Sequence, residues 1–171
     1  MLNREEIEKL IKEKSLIEGC VDLGTQLTPN GVDLTAASIY EFLEAGSLDF
    51  SNKERKLPEC REVAAQKSAP EDKFGWWLIK AGIYKVKTNE TVNLPQDLIA
   101  LAFTRTSLLR MGVFTQHGVW DAGFKGKGEF ILSVQNPAGL RLKQNARVAQ
   151  LVFLKMNETK HAYCGIFQHK K

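Results

Sequence analysis

Three things are scarce or missing in this chain, and each removes a class of protein. Cysteine occurs three times in 171 residues, at Cys20, Cys60 and Cys164, and never as a Cys-x-x-Cys pair. An odd and widely spaced set signals neither a disulfide framework nor a zinc site, so the expectation is reduced thiols in a cytoplasmic protein. No apolar stretch approaches the roughly 20 residues of a membrane-spanning helix, and the opening MLNREEIEKL is charged where a secretory leader would be apolar. Charge of one sign is nearly balanced: 24 Lys and Arg against 20 Asp and Glu leave a net charge of +4. That excess helps to attract a polyanionic ligand. Without a basic run or aromatic–basic interleaving, however, no nucleic-acid partner is expected. Internal repeats and low-complexity segments are absent too.

A hydrophobic share of 43% and a charged share of 26% suit a soluble globular chain with a sizeable core, and residues 1–171 read as one domain. Asn3 with Glu6 three positions on forms a capping box, and Ile7, Leu10 and Ile11 make an apolar stripe. One amphipathic helix is therefore predicted within residues 1–16, ending near Lys14. From Ile17 the period changes. Leu27, Val32 and Leu34 lie in strand-like surroundings around the turn Thr28-Pro29-Asn30-Gly31. Residues 47–73 form a polar surface excursion. Trp76 to Ile79 resumes the apolar pattern, and Tyr84 and Val86 alternate with Lys85 and Lys87 as in a half-buried strand. Thr88-Asn89-Glu90 reads as a turn, a short strand follows through Val92 and Leu94 to Pro95, and residues 98–103 read as a buried strand. Turn signals about every ten residues argue for an all-β sandwich or barrel. Residues 107–111 are the only other helical stretch expected.

Chemistry concentrates between residues 103 and 156. In Arg105-Thr106-Ser107 a strand leads into a short helix, whose free backbone N–H groups attract phosphate. Thr106 and Ser107 add hydroxyl donors, Arg105 a permanently charged planar fork and Arg110 a second. The bland alternative is a capped helix with surface arginines. In residues 117–126 (HGVWDAGFKG), glycines at 118, 123 and 126 allow a tight hairpin and close approach of a ligand to backbone. The backbone of that hairpin, Gly118 and Val119 included, can read the edge of a base. Phe124 offers a ring for a sugar, and Asp121 can serve as general base for a water molecule; its rival role is to accept turn N–H groups. His117 reads as structural rather than catalytic. Gln150, the polar exception in the apolar RVAQLVF strand, needs a partner if buried: a phosphate oxygen, or a core neighbour. Asp33, set between two apolar residues in NGVDLTA, is either a solvated strand acid or a carboxylate that helps to hold a hydrated divalent cation.

Taken in order, these stretches resemble four motifs of the trimeric dUTPase and dCTP deaminase superfamily, over about residues 31–168. NGVDLTA is similar to the first motif, with Asp33 at the acid associated with magnesium. Arg105-Thr106-Ser107 looks like the second, with Thr106 where Ser is usual. Residues 118–126 resemble the third, which places Asp121 at the water-activating acid and Phe124 at the aromatic residue that packs on deoxyribose. Residues 147–153 resemble the fourth, with Gln150 at a phosphate-contacting position. The tail YCGIFQ is similar to that of the deaminase branch, so Phe167 and Gln168 are expected over the base, within a tail spanning residues 157–171. The deaminase's catalytic Glu, however, falls by counting on Ile131 or Ser133, and Glu129 is off both counts. The resemblance thus implies the dUTPase branch in an archaeal-like form. It implies a distorted jelly-roll β-barrel with a short N-terminal helix and one short internal helix, dUTP as substrate, Mg²⁺ as cofactor with Asp33 acting through water, and a homotrimer with sites at subunit interfaces. The alternative is a dCTP deaminase, mono- or bifunctional, of the same fold; a non-catalytic nucleotide-sensing trimer is a more distant one.

Overall fold

The computed structural model describes residues 1–169; the last two residues of the expected 157–171 tail lie outside the described residues. Helix α1, Arg4–Lys14, has the capping box foreseen: Asn3 accepts from Glu6 N–H and the Glu6 side chain accepts from Asn3 N–H. Such reciprocal capping satisfies two of the free N–H groups at a helix start. Ser15, at a φ of 51°, ends the helix. Ile7 points into the core, and the Leu2 N–H donates to the Phe153 carbonyl at 2.9 Å, which ties the N-terminus to the last strand.

Strands follow in the order β1 (Ile17–Glu18), β2 (Leu27–Thr28), β3 (Gly31–Phe42), β4 (Cys60–Glu62), β5 (Trp76–Ile79) and β6 (Gly82–Asn93). Then come β7 (Leu98–Thr104), β8 (Val113–Gln116), β9 (Lys125–Val134), β10 (Leu140–Lys143) and β11 (Arg147–Lys155). The main sheet runs β7-β11-β3-β6-β9-β8, every neighbour antiparallel, while β5 and β10 make a separate pair. The two ends of that order curl toward each other. The Thr115 N–H in β8 donates to Thr104 Oγ1 at the end of β7 at 2.8 Å, and Trp120 bridges to Ala100 in β7. The result is a nearly closed antiparallel barrel, the all-β fold expected from the turn spacing. Its core is built by residues at alternate strand positions, among them Leu34, Val86, Leu132, Leu151 and Phe153. Among the described residues no helix is long and apolar enough to cross a membrane.

Two expectations need correction. A second short internal helix, α2 (Leu23–Gln26), precedes β2, in addition to α3 (Thr106–Leu109). It is a single turn, too short to show a helical period, and Asp22 starts it by accepting the Thr25 N–H at 2.7 Å. Thr88-Asn89-Glu90 is not a turn but the middle of the 12-residue β6. Alternation continues through it, with Val86, Thr88, Glu90 and Val92 all buried. The polar residues disguise a strand that carries a register shift against β9 between Lys87 and Thr91. The excursion 47–73 is largely irregular as expected, pinned by the three residues of β4 on β3 and by Trp77 Nε1 donating to the Val63 carbonyl at 3.0 Å.

Leu151 is fully buried on the central strand β11. Leu151→Ala should lower the unfolding free energy by about 2–5 kcal/mol, to be read as a reduced urea midpoint with an unchanged denaturant slope.

Candidate active site

Two groups of polar residues stand out, one at each end of β7. The first gathers around Asp33. This acid is only 3% exposed, yet its Oδ2 lies 3.0 Å from Arg105 Nε and 3.1 Å from Arg147 Nη1. Burial raises its pKa above the ordinary carboxylate value, against the lowering effect of Arg105 and Arg147. Arg105 Nη1 also donates to the Arg147 carbonyl at 3.3 Å, and Arg147 Nη1 to the Thr25 carbonyl at 2.9 Å. Arg105 is the N-cap residue of α3, and no side chain caps that turn. Thr106, Ser107 and Arg110 are exposed around it. Gln150 is half-buried and donates to Thr28 Oγ1 at 2.6 Å.

The second group surrounds a cavity of about 540 Å³ whose wall includes Gly118, Val119, Asp121, Phe124, Glu129 and Phe167. The hairpin is shaped by close packing. A Cβ on Gly128 would come within 2.6 Å of the Trp120 ring, and the Gly128 N–H donates to Thr88 Oγ1 at 2.9 Å. Trp120, Phe124 and Tyr163 form a chain of edge-on rings, each pair 5.5 Å apart. The Phe124 N–H takes the main-chain carbonyl of Asp121 at 3.0 Å. The Asp121 carboxylate itself has no hydrogen bond among the described residues, so it does not serve as the turn's acceptor. It is exposed on the cavity wall. Glu129 stands on the same wall with its carboxylate 3.4 Å from Lys85 Nζ.

The tail folds back on this hairpin. The Tyr163 N–H donates to the Ala122 carbonyl at 2.9 Å. Gln168 accepts the Lys125 N–H and donates to the Gly123 carbonyl, both at 2.9 Å. Gly123, at a φ of +82°, makes this approach possible, since a Cβ there would lie 2.6 Å from Ala162 Cβ. Phe167 reaches the cavity, whereas Gln168 is engaged with hairpin backbone.

Within one chain the two groups do not share a pocket. Trp120, next to Asp121, pairs with Ala100. Arg105 lies five positions further along, about 16 Å at the usual strand rise. None of Arg105, Thr106, Ser107, Arg110 or Gln150 lines the cavity. As for a metal, no group of three or more His, Cys, Asp or Glu gathers among the described residues. Asp33 already faces two guanidiniums, so no ready-made direct cage for a cation exists among the described residues. Sequence reasoning did not single out Lys85 or Tyr163 on the cavity wall. It also passed over the hydroxyl pair Thr104 and Thr115, whose Oγ1 atoms lie 3.0 Å apart. Of these, Tyr163 alone belongs to a recognised stretch, the YCGIFQ tail; Lys85, Thr104 and Thr115 carry no motif signature.

Comparisons with known proteins bear on the family and the fold. A family model described as dCTP deaminase-like matches residues 1–156. A protein of Methanosarcina mazei named probable deoxyuridine 5'-triphosphate nucleotidohydrolase is 43% identical over 172 residues, covering 99% of this chain and 97% of its own. The deoxyuridine 5'-triphosphate nucleotidohydrolase of Methanocaldococcus jannaschii is 33% identical over 143 residues, with 84% of this chain and 87% of its own covered. The crystal structure of 2'-deoxycytidine 5'-triphosphate deaminase from Agrobacterium tumefaciens is similar in fold, with a TM-score of 0.64 at 20% identity. That match covers 89% of this chain and 46% of the deaminase chain.

His117 packs against Phe130 with ring centres 4.2 Å apart and tilted by 47°, its Nε2 lies 2.8 Å from Thr115 Oγ1, and its Nδ1 is buried with no partner among the described residues. Burial accordingly lowers its pKa from 6.5 to about 4. Because the folded state holds this imidazole neutral, the unfolded chain binds the extra proton first as pH falls. Stability should decline from about pH 6.5 to about pH 4, by up to about 3 kcal/mol from this residue. A His117 proton resonance titrating near pH 6.5 would contradict the assignment. His117→Gln should flatten that part of the stability curve.

Proposed function

The chain belongs to the dCTP deaminase-like family, and from that premise we propose that it is a dUTP diphosphatase, hydrolysing dUTP to dUMP and pyrophosphate. The carboxylate of Asp121, without a hydrogen-bond partner among the described residues and exposed on the wall of a nucleoside-sized cavity, carries this reading. The names of the relatives at 33% and 43% identity support the substrate.

In this reading uracil lies against the hairpin backbone around Gly118 and Val119, under Phe167 and Gln168, with deoxyribose on Phe124. Asp121 takes a proton from water as its oxygen bonds to the α-phosphorus. The bond from that phosphorus to the bridging oxygen breaks, and pyrophosphate leaves with the electron pair. Arg105, Thr106, Ser107, Arg110 and Gln150 fix the phosphates, so catalysis rests on positioning and charge stabilisation. Mg²⁺, when bound, neutralises triphosphate charge; the chain would meet it through water at Asp33. A homotrimer with sites between subunits accounts for the separation of the two groups: the phosphate cluster of one copy faces the Asp121 cavity of another. A cytoplasmic setting is consistent with three free cysteines.

Glu129 gives the second reading its one observation. It shares the cavity wall with Asp121, and a carboxylate beside the pyrimidine could move protons during attack on C4 of cytosine. Its pairing with Lys85, and Ile131 and Ser133 at the counted positions, favour the diphosphatase.

Offered dUTP and dCTP separately with magnesium, the protein should release pyrophosphate from dUTP and no ammonia from dCTP; ammonia would establish the deaminase instead. Asp121→Asn should cut kcat by about 10²–10⁴-fold while still binding nucleotide, and full turnover in that variant defeats the assignment. Arg105→Ala should mainly weaken triphosphate affinity, measured by titration with a non-hydrolysable analogue.

A further inference from the structure

One edge of β3 has a gap. β2 pairs with that edge at Gly31 and Val32, and β6 takes it up again at Ala36. Over Asp33, Leu34 and Thr35 no strand among the described residues covers it, although all three residues are buried. A buried main-chain N–H or carbonyl needs a partner. Here two side chains replace the missing strand. Gln26 Nε2 donates to the Asp33 carbonyl at 2.8 Å and to Glu90 Oε1 at 2.7 Å. Glu90 Oε2 accepts the Thr35 N–H at 2.9 Å, and its Oε1 accepts the Thr35 hydroxyl at 2.5 Å. Glu90 is 0% exposed and Gln26 is 1% exposed. Asn89 completes the arrangement by donating to Thr35 Oγ1 at 2.8 Å and to Asn145 Oδ1 at 2.9 Å.

The stretch of backbone held in this way is the one whose carboxylate receives Arg105 and Arg147. A carboxylate is suited to the task because three donors converge on it: the Gln26 amide, the Thr35 N–H and the Thr35 hydroxyl. An amide at position 90 would turn an NH₂ group toward one of those donors. An apolar residue at position 26 would leave the Asp33 carbonyl without its side-chain donor. A small shift of Asp33 carries Arg105 with it through the 3.0 Å ion pair, at the entrance to α3 where the phosphates are proposed to sit.

We propose that Glu90, with Gln26 as its bridge, is a positioning residue for triphosphate binding: it fixes residues 33–35 of β3 so that Asp33 aims Arg105 at the phosphates. Neither side chain touches the substrate. The proposal rests on the reading of Arg105 as a phosphate clamp, and the test separates the two.

Full-length Glu90→Gln, Gln26→Met, Arg105→Ala and the double variant Arg105→Ala/Gln26→Met are compared with the parent. Each is checked for folding by thermal melting and circular dichroism, then titrated with the α,β-imido analogue of dUTP. Glu90→Gln and Gln26→Met should each weaken analogue binding about tenfold and raise KM for dUTP in step, with kcat held within about threefold. Because the effect passes through Arg105, the double variant should bind no more weakly than Arg105→Ala alone; a purely structural loss would add to it. If Glu90→Gln does not fold, Gln26→Met decides. Unchanged affinity in folded Gln26→Met, or additive losses in the double variant, overturns the proposal and leaves the clamp standing. Full-strength analogue binding by Arg105→Ala overturns the clamp, and the proposal with it.

Discussion

Two guanidinium groups converge on a single carboxylate oxygen. Asp33 Oδ2 lies 3.0 Å from Arg105 and 3.1 Å from Arg147, and the three residues come from β3, the end of β7 and β11. These strands are neighbours in the sheet order β7-β11-β3, so the contact locks register and site geometry together. An acid this deeply placed pays for desolvation, which is why its pKa rises even beside two cations. Losing either arginine would leave a poorly compensated buried charge, the costly way to break such a group. Arg105 still keeps the remainder of its planar fork for an incoming anion. The same charge that steadies the barrel therefore also tethers Arg105, the proposed phosphate clamp.

Much of this was legible in the chain. Alternation at Tyr84 and Val86, turn residues about every ten positions and the Asn3–Glu6 cap foretold an antiparallel barrel with a helix on its flank. The glycines and the lone acid of the 117–126 hairpin marked the cavity, because backbone approach and an unshared carboxylate both leave a local signature. What could not be read was long-range. Arg147 meeting Asp33 joins residues 114 positions apart, and nothing in either neighbourhood announces the other. Glu90 was a different kind of miss. It is in phase with Val86 and Val92, but a charged residue flanked by Thr and Asn looks like a turn unless one asks whether it fills a gap in a neighbouring strand.

The hairpin and the Asp33–Arg105–Arg147 group lie at opposite ends of β7, and among the described residues the tail contacts the hairpin and not that group. Gln168 engages both Gly123 and Lys125 through main-chain groups. This makes the end of the chain an extension of the hairpin rather than a free arm. In the proposed trimer each half of the site would already have its shape set within one chain, so association would have little to reorganise within either.

The cavity has walls of unlike origin. Trp120, Phe124 and Glu129 come from the barrel or its hairpin, whereas Leu57, Pro58 and Cys60 come from the irregular excursion between β3 and β5. That excursion meets the main sheet through β4 and through the Val63 N–H, which donates to the Ile39 carbonyl of β3 at 2.8 Å. Residues 47–57 lie before these joints, so their length and bulk can drift without disturbing the hairpin that carries Asp121. Width and depth of the cavity are in this sense modular, open to retuning on one side while the Asp121 side stays fixed.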